Sequence, residues 1–243
     1  MSAVRFCEVP QKPPSSGGFL YIYEKLNNMK KVILFFVTIF LISCQTAVVE
    51  KVETNDEPEV PHTSNEWKIW AYSSAAPSFI AAECTVVDMD AEGNQVVLRE
   101  GTNGWTAMAA NPRGPADPEN GWKDAHEAMA MVGDAESFKW ASAYFAGTKP
   151  GDVMEKDGWA WMLHGDMGED NTRAGVLNKE DSVEGAWIES GAHLMLMPKD
   201  PSSLDGQTTD FNTGAPYVMF AGTDYAHLMI PVEGYYDYQA PVK

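Results

Sequence analysis

AHLMLMP, Ala192–Pro198, and YAHLMIPV, Tyr225–Val232, are the stretches on which the fold turns, with PYVMFAG, Pro216–Gly222, between them. Both carry His-Leu-Met, at His193–Met195 and His227–Met229. Runs this short, bounded by turn residues, read as strands. Residues two apart in a strand share a face, so His193, Met195 and Met197 project together, as do His227 and Met229.

The rest of the chain extends this pattern in both directions. ECTVVDMD, the turn Ala91–Asn94 and QVVLREG read as a hairpin, and Trp105–Ala109 as a third strand. EWKIWAYSSAA is compatible with a short helix ending before Pro77. Asn111–Gly121 is a Pro/Gly-rich loop. The apolar spacing predicts helices over Trp122–Val132 and Glu136–Phe145, broken at Gly133-Asp134. GWAWMLHG, Gly158–Gly165, reads as a strand that places Met162 and His164 on one face, and Asp166–Glu184 reads as a polar loop. Hairpin-spaced strands around two consecutive helices argue for an α+β fold, a largely antiparallel sheet with two or three helices packed on one side.

The N-terminal third has a different character. Met29-Lys30-Lys31, the apolar run VILFFVTIFLIS and then Cys44 have the layout of an export signal. The run is short for a spanning helix, which needs ~20 residues. Leu41-Ile42-Ser43-Cys44 resembles the bacterial lipobox. That resemblance implies cleavage before Cys44 and a diacylglycerol on its thiol, hence a membrane partner through a lipid anchor. By resemblance to Gram-negative lipoproteins, Gln45 favours the outer membrane. The expected organisation is a start-site artefact at 1–28, a lipoprotein signal at 29–43, an acidic flexible tether at 44–65 and a single α+β domain at 66–243. Of the three cysteines, only Cys84 then remains in the domain, so no internal disulfide is expected.

The formal charge is −18. Residues 1–43 hold five Lys/Arg and two Asp/Glu, leaving 12 basic and 33 acidic residues beyond them. Such a surface repels a phosphate backbone and excludes nucleic acid as a natural partner.

VVLREGTNGWT, Gly191–Met195 and PYVMFAGTDYAHLMIPV resemble phrases of a family of uncharacterised exported bacterial proteins, over roughly Ala76–Val232. The resemblance implies one exported domain and supplies no catalytic residue. Where the family pattern has Cys this chain has Met108, and where it has Gln this chain has His164.

Four constellations are candidates for chemistry. Imidazole and thioether together suit a copper(I) ion, so His193, Met195, His227 and Met229 form a candidate metal site. Their plain alternative is packing, since Met fills irregular cores. Arg99 and Glu100, before a Gly-rich turn, are candidate catalytic residues: Arg99 to hold a carboxylate, Glu100 as general base with a histidine. Asn103 and Trp105 in that turn are candidate ligand-binding residues, and the Trp side chains offer platforms for a glycan or other small molecule. The acidic loop GDMGEDN, from Gly165, offers oxygens to calcium, or is simply solvated. HExxH, nucleophile-elbow, CxxC and phosphate-loop patterns are absent. The expectation is therefore an exported lipoprotein that binds a small ligand or metal, with an extracytoplasmic, hydrolase-like enzyme as the alternative.

Overall fold

The structure, a computed structural model, describes residues 56–237. The expected artefact, signal, lipidated Cys44 and the tether as far as Asn55 lie outside the described residues. The first helix, α1 (Asn65–Ser73), is capped by Ser64, whose side chain accepts the Trp67 amide at 3.2 Å. Its Trp67, Ala71 and Tyr72 are buried. A buried indole N–H needs an acceptor, and Trp67 Nε1 finds one in Glu57 Oε1 at 2.7 Å. The His62 ring stacks on Trp67 at 4.2 Å, and its Nδ1 bonds the Trp122 carbonyl at 2.7 Å. The tether expected to run to residue 65 thus gives way to packed chain by Glu57, because Trp67 requires a cover.

A short helix α2 (Ser78–Ala81) leads into β1 (Thr85–Met89), β2 (Gln95–Arg99), β3 (Thr106–Met108) and β4 (Met131–Gly133). Helix α3 (Ala135–Ala146) follows, then β5 (Gly158–Met162), β6 (Glu169–Asp170), β7 (Trp187–Ile188), β8 (His193–Met197), β9 (Tyr217–Met219) and β10 (His227–Pro231). Eight strands form one sheet in the order β2-β1-β3-β4-β5-β8-β10-β9, and β6 and β7 pair apart from it. β1 and β3 are parallel, and every other pairing is antiparallel. The α+β class and the antiparallel sheet stand as expected. Among the described residues no helix is long and apolar enough to cross a membrane.

The expected helix over Trp122–Val132 does not form. Residues 122–130 are turns, and Met131–Gly133 is a strand. The helical spacing of Trp122, Ala125 and Met129 instead reflects turns whose apolar residues reach two different cores. Gly133, expected as a helix break, pairs with Thr106 and Ala160 in the sheet. Asp134 caps α3, its Oδ1 accepting the Ser137 amide at 2.8 Å.

The helices, expected together, divide between the two faces of the sheet. Val132 packs with Trp67, Tyr72, Val86 and Ala107 under α1. Met131, one residue earlier, packs with Trp140 of α3. Consecutive strand residues point to opposite faces, so α1 and α3 cover opposite sides. Helix α3 sits close to its face because two glycines lie beneath it. A Cβ on Gly158 would stand 2.4 Å from the Ser137 amide nitrogen, and one on Gly133 2.2 Å from Ser137 Oγ.

Candidate small-molecule site

The face under α3 is built from cross-strand neighbours. Met108 faces Met131, Met162 faces His193, Ala160 faces Met195, and Met195 faces Met229. β8 and β10 bury their His/Met face and leave Leu194, Leu196 and Leu228 half-buried on the other. Met108, Met131, Met162, Met195 and Met197, with Met129 just before β4, line a cavity of about 330 Å³. Phe138, Trp140, Ala141 and Tyr144 of α3 roof it, and Phe220 closes one side. The wall is mostly thioether, methyl and ring; Asn111 and Ser142 add polar groups, and Glu169 is its one carboxyl.

Glu169 is placed there by β6. Its Oε1 accepts Tyr144 Oη–H at 2.6 Å and the Gly175 amide at 3.0 Å. Oε2 carries no hydrogen bond within the described residues. Burial pushes its pKa up to about 7, against the hydrogen bonds from Tyr144 and Gly175, which lower it. The nearby Asp166 charge also raises it, and Arg113 lowers it. Burial, then the Glu169 charge, holds the Tyr144 hydroxyl protonated well above its usual range.

Behind Met162 and Met195 lies a buried polar nest. Asp166 Oδ1 accepts the Gly168 amide at 2.9 Å and the Ser190 amide at 3.1 Å. His193 Nδ1 donates to Gly191 O at 2.6 Å, which leaves its Nε2 as an acceptor. Burial raises the Asp166 carboxyl and lowers the His193 imidazole, and the attraction between the two opposes both shifts. Tyr217 Oη bonds Tyr235 Oη, which in turn reaches Ser190 Oγ at 3.5 Å. Ser190, His193 and Asp166 are all buried, and His193 Nδ1 turns to a backbone carbonyl instead of Asp166. The three therefore do not form a nucleophile–base–acid relay. Three buried side-chain polar atoms among the described residues lack a partner: His193 Nε2, Asn171 Oδ1 and Trp140 Nε1.

The structure separates the residues singled out in the sequence. His193 and His227 share a face, but His193 faces Pro231, four residues beyond His227 on β10. Their backbones are offset by roughly 13 Å along the strands. Met195 and Met229 form the pair between them. His227 Nδ1 bonds Tyr225 O at 3.0 Å, repeating the His193 arrangement. These four residues do not converge on one ion. Among the described residues no three His, Cys, Asp or Glu side chains gather as a metal site. His164 leaves Met162's face, because β5 ends at Met162 and the imidazole turns to Ser74 Oγ at 2.8 Å. His126 is half-buried with its Nδ1 on His164 O at 2.7 Å.

Arg99 is a structural tie. Its Nη2 donates to Ala81 O at 2.5 Å and Cys84 O at 3.1 Å, closing the end of α2. Glu100 is exposed beside it. β2 and β8 are first and sixth in the sheet, about 24 Å apart, so neither residue meets a histidine of β8 or β10. Asn103 shapes its own turn, accepting the Trp105 amide at 3.0 Å and donating to Ile80 O at 2.9 Å. Trp105 packs on the α1 core. Trp159 and Trp161 share the opposite face of β5 from the cavity, as their spacing predicts. In the acidic loop, Asp170 is enclosed by N–H and O–H donors, the reverse of a calcium site.

Glu169 and His227 make opposite contributions to the pH dependence of stability. Raising the carboxyl from 4.5 to about 7 means that the native state holds a proton the unfolded chain has lost, so stability falls as pH rises through that interval. The loss amounts to about 3 kcal/mol. Burial lowers His227 from 6.5 to about 4, so its contribution is lost as pH falls from 6.5 to 4. Replacing Glu169 with Gln isolates the first effect. The stability difference between Glu169→Gln and wild type should be near zero at pH 4.5 and favour the variant by up to about 3 kcal/mol at pH 8, read by urea unfolding. A pH-independent difference would contradict the assignment. Compared with known protein families, curated proteins and solved structures, the chain shows no match.

Proposed function

We propose that this chain is an exported bacterial lipoprotein, held through Cys44 to a membrane, the outer membrane favoured, whose domain binds a small, largely apolar molecule beneath α3. One observation carries the binding reading: a cavity of about 330 Å³ walled by six methionines and several rings, with a single carboxyl turned into it. Ligand pockets are typically of this kind, apolar with a few placed polar groups. Unbranched thioether side chains adapt to a ligand's shape better than branched ones. The export reading rests on the basic start at Met29, the apolar run and the lipobox-like end at Cys44.

A neutral fluorescent dye, N-phenyl-1-naphthylamine, should bind the purified protein and perturb Trp140, which roofs the cavity. Ala141→Trp, which fills the space from α3, should weaken dye binding at least ~10-fold without lowering Tm. Dye affinity unchanged by Ala141→Trp would refute the cavity as the binding site. Cys44→Ala should release the protein from membranes, and a variant that stays membrane-bound would refute the anchor.

A further inference from the structure

The carboxyl in the cavity bears on the charge of the ligand. Glu169 Oε1 is occupied by Tyr144 and Gly175, and Oε2 is left over. Among the described residues no cationic side chain forms an ion pair with it, and Arg113 acts on it only from a distance. Arg113, from the loop after β3, spends Nη2 on Gly168 O and Leu177 O, each at 2.6 Å, and Nε on Leu177 O at 3.3 Å. The other titratable groups acting on Glu169 are Tyr144 from α3, which stays neutral, and Asp166 from the turn before β6, whose charge adds to the repulsion. A carboxylate or phosphate ligand would meet an acid in a protein of net charge −18. A neutral ligand would displace water from Oε2 and leave the carboxylate unpaired, which is costly. A cation resolves both difficulties.

The wall fits the same reading. Tyr144, whose hydroxyl bonds the carboxyl, stacks on Trp140 and Phe220, and these rings line the cavity together with Met131, Met162 and Met195. A cation gains from aromatic faces, and an alkyl chain from the thioethers. We propose that the cavity is selective for small primary alkylamines, the ammonium on Glu169 Oε2 and the chain along the methionines of β4, β5 and β8. This rests on the small-molecule reading above and adds the ligand's charge and class.

The test is titration calorimetry of the full chain in detergent with two probes of equal length, hexylamine and hexanol. At pH 8 the amine should bind at least ~10-fold more tightly than the alcohol. From pH 8 to pH 5.5 amine affinity should fall by up to about 30-fold as Glu169 takes up its proton, while hexanol is indifferent. Glu169→Gln should bind both probes equally, without pH dependence, and its retained hexanol binding reports an intact cavity. Equal affinities in the wild type, or an amine preference that survives Glu169→Gln, would overturn the amine assignment and leave the cavity reading standing. Binding of neither probe would defeat the cavity reading and this one together. Displacement of the neutral dye by silver(I) but not by hexylamine would give the thioethers to a soft metal ion and overturn the proposal.

Discussion

Asp170→Ala is expected to cost about 4 kcal/mol and to loosen the chain from Asn171 to Ala186. Asp170 is completely buried. Its Oδ1 accepts the Thr172 amide at 2.8 Å, the Thr172 hydroxyl at 2.6 Å and the Arg173 amide at 3.0 Å. Its Oδ2 accepts the Val183 amide at 2.7 Å and Arg173 Nε and Nη2 at 3.2 and 3.1 Å. Burial alone would raise this carboxyl, but the bonds from Thr172, Val183 and Arg173 outweigh it and hold the pKa well below the usual carboxylate range. The carboxylate therefore stabilises the fold at neutral pH, and that contribution is lost only in strong acid. Alanine leaves several donors facing a void, and asparagine, with one acceptor oxygen, should cost nearly as much. Urea unfolding gives the energy, and limited proteolysis within 171–186 gives the local effect. A loss under about 1 kcal/mol would show that water replaces the carboxylate without cost. The same loop supplies Gly175 to Glu169, so ligand binding should weaken in parallel.

Gly158→Ala should be nearly as severe, about 3 kcal/mol or more, and should abolish dye and amine binding together. The added carbon would lie 2.4 Å from the Ser137 amide nitrogen and 2.8 Å from the Glu136 carbonyl carbon, which are backbone atoms of α3's first turn. No rotamer change relieves a backbone overlap, so the helix must lift and the cavity roof lifts with it. Gly147→Ala at the other end of α3 is the control. Its φ of 66° strains alanine, but nothing lies within 4 Å of the new Cβ, so about 1 kcal/mol is expected and binding should persist. Unimpaired binding in Gly158→Ala would show that α3 does not need its close seat.

Periodicity located the elements whose pattern was unambiguous. The His-Leu-Met runs became β8 and β10, with the shared face the alternation required. The β1–β2 hairpin and α3 were equally plain. Trp122–Val132 misled because turns can imitate helical spacing when their residues serve two cores, and a three-residue strand such as β4 is too short to announce itself. Glu169 was hidden for a different reason. In a run of acidic residues each reads as solvated, and only the fold reveals which one faces the cavity. Arg99 drew attention as a charge beside a glycine turn, but its guanidinium serves the open carbonyls at the end of α2. Met108, Met129 and Met131 were scattered in the sequence, and the strand register made them one wall.

The division of the core across β4 limits how this sheet can pair. Met131 belongs to the methionine side and Val132 to the tryptophan side, with no spare residue between them. A misalignment by one position while β4 docks would push a thioether among the indoles and bring valine to the ligand chamber. The adjoining Gly133 would rotate away from Ser137 in the same slip, taking with it the landing place for α3. Three residues thus act as the alignment key for both halves of the protein, and errors in their threading should be rejected early because neither side can close over them.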